Sequence, residues 1–475
     1  MRENFSSLLL FIIIIQLYRI FVLLNAQIDL YVDEAYYWGW SKELAFGYYS
    51  KPPMIAWVIA LFTHLCGDTA FCIKLPALIF HPLTAILIFF IAKELFDERI
   101  GFWSGVAYIT LPAVSMSSMI ISTDVVFLFF WALTLYAFIK AIRTDSWLYW
   151  LIAAVSAGCG LLSKYTMIIF IVSVFLYLVW DKRFSYHLKN PKLYITMILA
   201  TLIYLPNLWW NAHHEFITFI HTRNLSGIEH KSHFHPNKLI EFLASQFLVF
   251  GPIFFAAFLY ALRYIKELKY RLLFAFSLPF LAVISLQAFL SKALANWAAP
   301  TYIAATILVV ALMIRSKRLL IASIILNILL TLLFYHYHTV AKVFHIELTS
   351  HNDPYKRVLG YSVLAKKLEP ILKNYPGYKL LFDDRTTMAE MIYYLKPHPF
   401  DAAMLNPKHV KASQYHLFNP PKLHQNYIYI TKSNNLQAAR YFASFKKITT
   451  IKIQLYKDYS RTYYIFEARD FKGYR

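Results

Sequence analysis

The chain has 475 residues, of which 59% are hydrophobic and only 15% are charged, and its formal net charge is +21. A mean hydropathy of +0.47 excludes an ordinary soluble protein, because soluble domains of this length do not carry that much apolar sequence. Loops on one membrane face and a basic C-terminal tail account for the positive charge, so no nucleic acid partner is expected. The composition indicates a polytopic membrane protein surrounded by lipids.

Apolar runs of membrane-spanning length recur over the first two thirds of the chain. We predict about eleven to thirteen transmembrane helices. The runs lie at residues 8–24, 74–92, 101–121, 125–142, 147–162, 165–180, 193–210, 239–262, 272–290, 299–314 and 319–338. The first run resembles a signal peptide, but its length and the many runs after it favour an uncleaved transmembrane helix. Residues 54–65 are too few to span and are expected to lie on the surface or to re-enter.

Lysine and arginine are distributed unevenly between the two sets of connecting loops. Basic islands occur at residues 2, 93–99, 140–143, 182–192, 263–271 and 315–318. Such islands mark the cytoplasmic face of a membrane protein. The opposite face then carries the most informative polar residues, which are Asp33, Glu34, Asp124, Lys164, Asn296 and Trp297, together with the loop 211–238 and the C-terminal segment.

The composition changes after residue 338, where the long apolar runs end. Short β-like runs at 378–382, 427–431, 448–456 and 462–467 alternate with helical patterns at 357–373, 386–395 and 434–446. We therefore expect two domains. Residues 1–338 would form a transmembrane domain with a first outer loop at 25–73, and residues 339–475 a small α/β domain on the non-cytoplasmic side.

The first outer loop contains two adjacent carboxylates, Asp33 and Glu34, followed by Tyr36, Tyr37 and, further on, Lys51. Carboxylates beside a membrane span are costly unless they have a function, and the aromatic residues suit the membrane–water boundary. Such carboxylates could act as a base or bind a metal. The alternative is a charged pair that marks a helix end. Lys51 is held by two prolines and suits a lipid phosphate, although a snorkelling lysine has the same pattern.

Further polar residues interrupt the later apolar runs. Asp124 follows Ser122 and Thr123 and could be a second functional carboxylate or simply a helix N-cap. Lys164 is a candidate phosphate ligand or, alternatively, another snorkelling lysine. Arg223 could contact an anionic substrate.

Arg223 lies in a histidine-rich loop. The histidines His213, His214, His221, His230, His233 and His235 invite a zinc interpretation. Their spacing fits no closed zinc site, so a polar loop over the site is favoured.

The chain has three cysteines, which are Cys66, Cys72 and Cys159. Cys66 and Cys72 could pair on an oxidising face, but two unpaired buried thiols are favoured.

Six short motifs follow one another in an order that is more specific than any of them alone. They are D-E-A-Y-Y-W at 33–38, S-K-P-P at 50–53, S-T-D at 122–124, L-L-S-K-Y-T at 161–166, A-N-W-x-A-P at 295–300 and D-P-x-x-R-x-x-G at 353–360. In these motifs the chain resembles the polyprenyl-phosphate-sugar-dependent glycosyltransferases of the C-type membrane fold. That group includes the protein O-mannosyltransferases and the lipid A aminoarabinose transferases.

The resemblance implies an all-α polytopic fold with a small C-terminal α/β domain, and it implies roles for individual residues. Asp33, with Glu34, would be the catalytic or metal-binding carboxylate, and Asp124 the second acidic residue. Lys51 would bind the donor or acceptor phosphate. The remaining candidates for substrate binding are Tyr36, Tyr37, Lys164, Arg223, Asn296 and Trp297. Aminoarabinose transferases have a glutamate where this chain has Ser50, so a divalent metal ion is left open.

The expected function is transfer of a sugar from undecaprenyl phosphate to lipid A or to the lipopolysaccharide core. The reaction is expected to invert the anomeric centre, at the periplasmic face of the inner membrane. A protein O-glycosyltransferase would use the same chemistry on a protein acceptor. A lipid-linked sugar flippase and a non-catalytic lipid-binding subunit are the alternatives outside this class.

Overall fold

The computed structural model describes residues 2–227, 234–434 and 436–474. The chain divides into two compact units. The helical unit contains Met1–Asn25, Ala45–Gly47 and Lys51–Tyr337, and the α/β unit contains Ala26–Leu44, Tyr48–Ser50 and His338–Arg475. The segment after the first helix is therefore shared between the two units.

The helices account for most of the described chain. The α-helices are α1 (Phe5–Asn25), α2 (Val32–Trp40), α3 (Met54–Cys66), α4 (Ala70–Leu95), α5 (Glu98–Ile109), α6 (Pro112–Ser117), α7 (Thr123–Thr144), α8 (Trp147–Ser163), α9 (Ile168–Trp180), α10 (Pro191–His213), α11 (Ile217–Ser226), α12 (Pro236–Val249), α13 (Pro252–Ala261), α14 (Arg271–Ala275), α15 (Leu278–Leu290), α16 (Thr301–Met313), α17 (Lys317–Tyr335), α18 (Tyr337–Val343), α19 (Tyr361–Leu372), α20 (Arg385–Tyr394) and α21 (Gln414–Phe418). Short 3-10 helices lie at Tyr165–Met167, Ser185–Lys189, Leu262–Tyr264, Leu268–Tyr270, Ala295–Ala298, Ile314–Ser316, Lys356–Val358 and Leu436–Tyr441.

Every apolar run predicted to span the membrane lies on one or more of these helices. Within the described ranges, five stretches are long and apolar enough to cross a bilayer, and two bent helix pairs raise that number to as many as seven. The five are Phe5–Asn25, Ala70–Leu95, Thr123–Thr144, Pro191–His213 and Thr301–Tyr335. The predicted multi-span helical fold is confirmed, whereas a total of eleven to thirteen spans stays a prediction.

The run predicted as one helix over 239–262 is broken, and that prediction is wrong. Helices α12 and α13 meet at an angle of 114°. Gly251 lies at the break with a φ of +96°, a backbone conformation that side chains other than glycine disfavour. A Cβ atom there would lie 2.2 Å from Asn327 Oδ1, so the close approach of α17 also requires glycine.

The α/β unit is built on a five-stranded mixed sheet. Its strands are β1 (Lys379–Phe382), β2 (Ala403–Met404), β3 (Tyr427–Thr431), β4 (Phe442–Tyr456) and β5 (Tyr459–Phe471), in the spatial order β2-β1-β3-β5-β4. Strand β1 pairs in parallel with β2 and β3, and β5 is antiparallel to β3 and β4. Alternate side chains of β3 and β5, such as Tyr429 and Phe466, form the buried core of one sheet face.

Two expectations need correction. The helix predicted over 434–446 is instead a short 3-10 helix that leads into β4 at Phe442, where pairing with Phe471 of β5 outweighs local helical propensity. Cys66 and Cys72, expected as unpaired buried thiols, form a disulfide that joins the last residue of α3 to the first turn of α4, and Cys66 is exposed. The short turn brings the two Cα atoms to 6.0 Å, a usual separation for a disulfide.

We predict that Gly251→Ala lowers the free energy of unfolding of the full chain in detergent more than Gly67→Ala does. Both glycines have positive φ, +96° and +87°, so both substitutions carry a backbone cost of about 1–2 kcal/mol. The two glycines differ in the space around an added Cβ atom. At Gly251 this atom would clash with Asn327, whereas nothing lies within 4 Å of a Cβ built on Gly67. Thermal unfolding should show the additional loss for Gly251→Ala. Equal losses would contradict close packing against Asn327.

Candidate active site

Asp124, Lys164 and Asn296 lie together in the helical unit. Lys164 Nζ is 2.5 Å from Asp124 Oδ1, and Asn296 Nδ2 donates to Asp124 Oδ2 over 2.8 Å. The side chains of Asp124 and Lys164 are only 13% and 18% exposed. Each carboxylate oxygen thus has a donor, and the ion pair is largely shielded from solvent, where its attraction is stronger than at an exposed surface.

Local structure explains why these residues meet. Asp124 is in the first turn of α7, Lys164 directly follows α8, and Asn296 is in the 3-10 turn ahead of α16. The Lys164 ammonium lies 5.8 Å from the centroid of the Phe127 ring. An ammonium in this setting requires a counter-charge, because charge in apolar surroundings is costly when it is unpaired.

Two of the basic islands, 93–99 and 140–143, meet at the opposite end of α7. Glu94 pairs with Lys140 at 3.2 Å and with Arg143 at 3.0 Å. Asp124 and Arg143 are near the two ends of α7, which places them about 28 Å apart by the rise of an α-helix. The carboxylate and the basic end of α7 are therefore separated by nearly the thickness of a bilayer core.

Asp33 forms an ion pair that sequence reasoning missed. Its Oδ1 accepts from Arg385 Nη1 over 3.1 Å within the α/β unit, and both side chains are about one third exposed. The guanidinium of Arg385 also lies 4.9 Å from the ring centroid of Tyr36. Burial alone would lower the pKa of Arg385, but the charges of Asp33 and of the neighbouring tyrosines raise it. Arg385 therefore stays cationic and orients the Asp33 carboxylate.

Glu34 differs from Asp33 although it is the next residue. Its side chain is fully buried, and Oε2 accepts from the backbone amide of Tyr31 over 2.9 Å at the start of α2. This contact stabilises the N-terminus of α2. It agrees with the alternative interpretation of Asp33 and Glu34 as a charged pair that marks a helix end. A catalytic role of Glu34 stays a prediction.

Tyr36 and Tyr37 are buried in the α/β unit. The hydroxyl of Tyr36 accepts from the backbone amide of Gln414 over 2.5 Å, and the Tyr37 ring lies 5.0 Å from that of Trp40. Trp38 of α2 meets the ring of Tyr393 of α20 edge-on at 5.0 Å. The contacts of Tyr36 and Trp38 attach α2 to the rest of the unit and so position Asp33. Substrate contacts of the two tyrosines stay predictions.

The remaining candidates lie in the helical unit. Lys51 precedes Pro52 and Pro53, directly before α3, and its side chain is half-buried. Arg223 is exposed on α11, and Trp297 packs partly against the main hydrophobic core of the unit. Their roles in substrate binding stay predictions.

The described residues do not form a metal site. Across residues 2–227, 234–434 and 436–474, no group of three or more His, Cys, Asp or Glu side chains could hold a metal ion. His213 and His214 donate from Nδ1 to helix carbonyls four residues earlier. His230 and His233 lie outside the described residues. Asp33 forms an ion pair with Arg385, and Glu34 accepts a hydrogen bond from a backbone amide. These two carboxylates alone therefore do not fit a divalent metal ion.

Comparisons with known proteins agree with this architecture. A family model described as dolichyl-phosphate-mannose-protein mannosyltransferase matches residues 50–210. The lipid A galacturonosyltransferase RgtD of Rhizobium johnstonii is 34% identical over 420 residues, which are 86% of each chain. The lipopolysaccharide core galacturonosyltransferase RgtB of the same organism is 29% identical over 187 residues, 38% of this chain and 37% of RgtB.

A solved structure has the same fold over almost the whole chain. The crystal structure of ArnT from Cupriavidus metallidurans bound to undecaprenyl phosphate superposes with a TM-score of 0.67 at 14% sequence identity, covering 97% of this chain and 98% of ArnT. The fold is thus that of a C-type membrane glycosyltransferase. The chain belongs to the same family as RgtD and is a glycosyltransferase that uses a lipid-linked sugar donor. The predicted family, fold class and enzyme class are confirmed.

We predict that Asp124→Asn and Lys164→Met each lower sugar transfer at least about 100-fold, and that the double variant loses little more than either single one. The two side chains act as one ion pair, so removing either partner disorders the other. Transfer rates in detergent, with donor saturating, would measure the coupling.

A matched control is available at the basic end of the helical unit. Asp145 and Lys192 form an ion pair of similar length, 2.7 Å, so Asp145→Asn should leave transfer within about twofold of wild type. Additive losses for Asp124 and Lys164, or an equal loss for Asp145→Asn, would contradict a specific role of the Asp124 pair.

Proposed function

We propose that this enzyme transfers a galacturonic acid residue from a polyprenyl phosphate, undecaprenyl phosphate in particular, to lipid A or the adjoining lipopolysaccharide core. The observation that carries the proposal is the 34% identity to the lipid A galacturonosyltransferase RgtD over 86% of both chains. The partial match to the core galacturonosyltransferase RgtB supports the same sugar. The common fold with ArnT in complex with undecaprenyl phosphate supports the donor.

The cationic side chains of the helical unit suit the leaving group of this reaction. Breaking the bond between sugar and polyprenyl phosphate leaves negative charge on the phosphate oxygens. A lysine acts on phosphate as a compact point charge. Lys164, held at 2.5 Å from Asp124, is such a group, and Lys51 and Arg223 are proposed to share this role.

Asp33 is proposed as the general base. An acceptor hydroxyl loses its proton as it attacks the anomeric carbon, and a partly exposed, oriented carboxylate can take that proton. A single displacement of this kind inverts the anomeric configuration. An acceptor that is already an ionised phosphate needs no base, and Asp33 would then only orient it.

Charge and redox chemistry support an active site at the periplasmic face of the inner membrane. Basic loops favour the cytoplasm, and Asp124 is at the other end of α7. The Cys66–Cys72 disulfide is next to the start of α4, whereas Lys93 in the last turn of α4 belongs to a basic island. Disulfides persist in the oxidising periplasm rather than in the cytosol.

A protein O-glycosyltransferase is the second candidate. The specific observation in its favour is the family model for protein mannosyltransferases, which matches residues 50–210. The match covers a smaller part of the chain than the match to RgtD does, so the glycolipid acceptor is preferred.

Mass spectrometry of lipid A tests the proposal. Cells that express the chain should contain lipid A or core heavier by one hexuronic acid residue than cells that lack it. Asp33→Asn should abolish this increment, and the purified variant should still bind undecaprenyl phosphate, because Asp33 is assigned to the acceptor's proton rather than to the donor phosphate. An increment of a neutral sugar, or an increment on protein alone, would refute the proposed substrate pair.

A further inference from the structure

The α/β unit contains a cavity of about 550 Å³ with an unusual charge. Among its described lining residues are four cations and no carboxylate, and most of the others are tyrosine, serine or threonine. The cations are Lys356, Arg357, Lys432 and Arg461. Its volume falls in the range of small-molecule sites, roughly 300–1,000 Å³. A cavity with this lining suits an anionic, hydroxyl-rich ligand.

Three of the four cations have no acidic partner among the residues that the structure describes. Lys432 is paired with Asp384 at 2.6 Å. In the part of the chain that the structure describes, Lys356, Arg357 and Arg461 make no salt bridge. Lys356 and Arg461 are partly buried, whereas Arg357 is exposed. A partly buried cation without a counter-ion is costly, and that cost is removed when an anion binds.

Protein contacts hold the cationic groups in place. The guanidinium of Arg461 is 4.2 Å from the ring centroid of Tyr361, and its Nη2 donates to the carbonyl of Lys356 over 2.9 Å. Lys356 Nζ donates to the carbonyl of Ser350 over 3.2 Å and lies 4.4 Å from the ring centroid of Tyr459. Neutral partners leave the charges available while limiting the freedom of the side chains. Such preorganisation favours ligand binding.

The cavity adjoins the proposed base. Tyr31 and Val32 line it and directly precede Asp33 in the chain, and Thr386 lines it and directly follows Arg385. All of these residues belong to the α/β unit. A ligand in the cavity therefore lies beside the Asp33–Arg385 ion pair.

We propose that this cavity is the subsite for a phosphate group on the sugar headgroup of the acceptor glycolipid. The proposal rests on the proposed function, because it assigns the cavity to the acceptor of that reaction. Phosphate is preferred to carboxylate, since it carries more charge and more acceptor oxygens for several converging cations. The donor phosphate is assigned instead to the lysines of the helical unit.

Steady-state kinetics of the full chain in detergent provide the first test. Arg357→Gln changes an exposed side chain, so the variant should fold, and Arg461→Gln removes the cation stacked on Tyr361. Each should raise the KM for phosphate-bearing lipid A about tenfold and leave the KM for the donor and kcat nearly unchanged. Lys373→Gln, which removes an exposed charge at the end of α19 away from the cavity lining, is the control and should change neither KM. A rise in the donor KM instead, or no change in either KM, would overturn the proposal.

Equilibrium binding without turnover provides the second test and does not depend on activity. Wild type and Lys373→Gln should bind phosphate-bearing lipid A about tenfold more tightly than dephosphorylated lipid A, and Arg357→Gln should lose this preference. Equal binding of the two lipids by wild type would overturn the subsite, as would equal competition by phosphatidylglycerol. If the preference is found but wild type adds no sugar to lipid A, the proposed function fails while the phosphate subsite stands.

Discussion

The cost of charge in apolar surroundings determines where this protein keeps its ionised groups. Arg19 is 1% exposed in α1, and its Nη2 donates to the carbonyl of Ile109 over 2.7 Å and to Ser115 Oγ over 3.0 Å. Asp124 has a cation on one oxygen and an amide on the other. In both places the helical unit provides a buried charge with polar partners, and those partners hold the side chain in a defined orientation.

Sequence reasoning found the polar residues that interrupt apolar runs. Asp124, Lys164 and Asn296 were recognisable because a charge or amide at the end of a long apolar run is conspicuous, and the structure brings the three together. The helices were recognisable for the same physical reason, since apolar length is a strong signal. The bend at Gly251 was missed because the apolar pattern continues across it, although a glycine before a proline is a turn signal.

The α/β unit was harder to predict because its important contacts are distant in sequence. Arg385 is separated from Asp33 by 352 positions, and its segment reads as an ordinary helix start. No local pattern marks such a partner. The start of β4 was missed because alanine and glutamine before Phe442 favour a helix locally, whereas pairing with β5 decides the outcome. The disulfide could not be read from the spacing of Cys66 and Cys72, because the spacing alone does not reveal the redox environment.

The segment after α1 alternates between the two units, which limits the fragments of this protein that can fold alone. Residues 26–44 and 48–50 are counted with the C-terminal part, whereas residues 45–47 remain with the helices, where Asn207 Nδ2 donates to the carbonyl of Phe46 over 2.6 Å. A fragment that begins at residue 338 would lack α2 and expose the surface that Trp38 covers on Tyr393. Expressing the C-terminal segment alone would therefore give an incomplete fold. Its missing helix begins 306 positions before residue 338, and most of the membrane helices lie between the two in the chain.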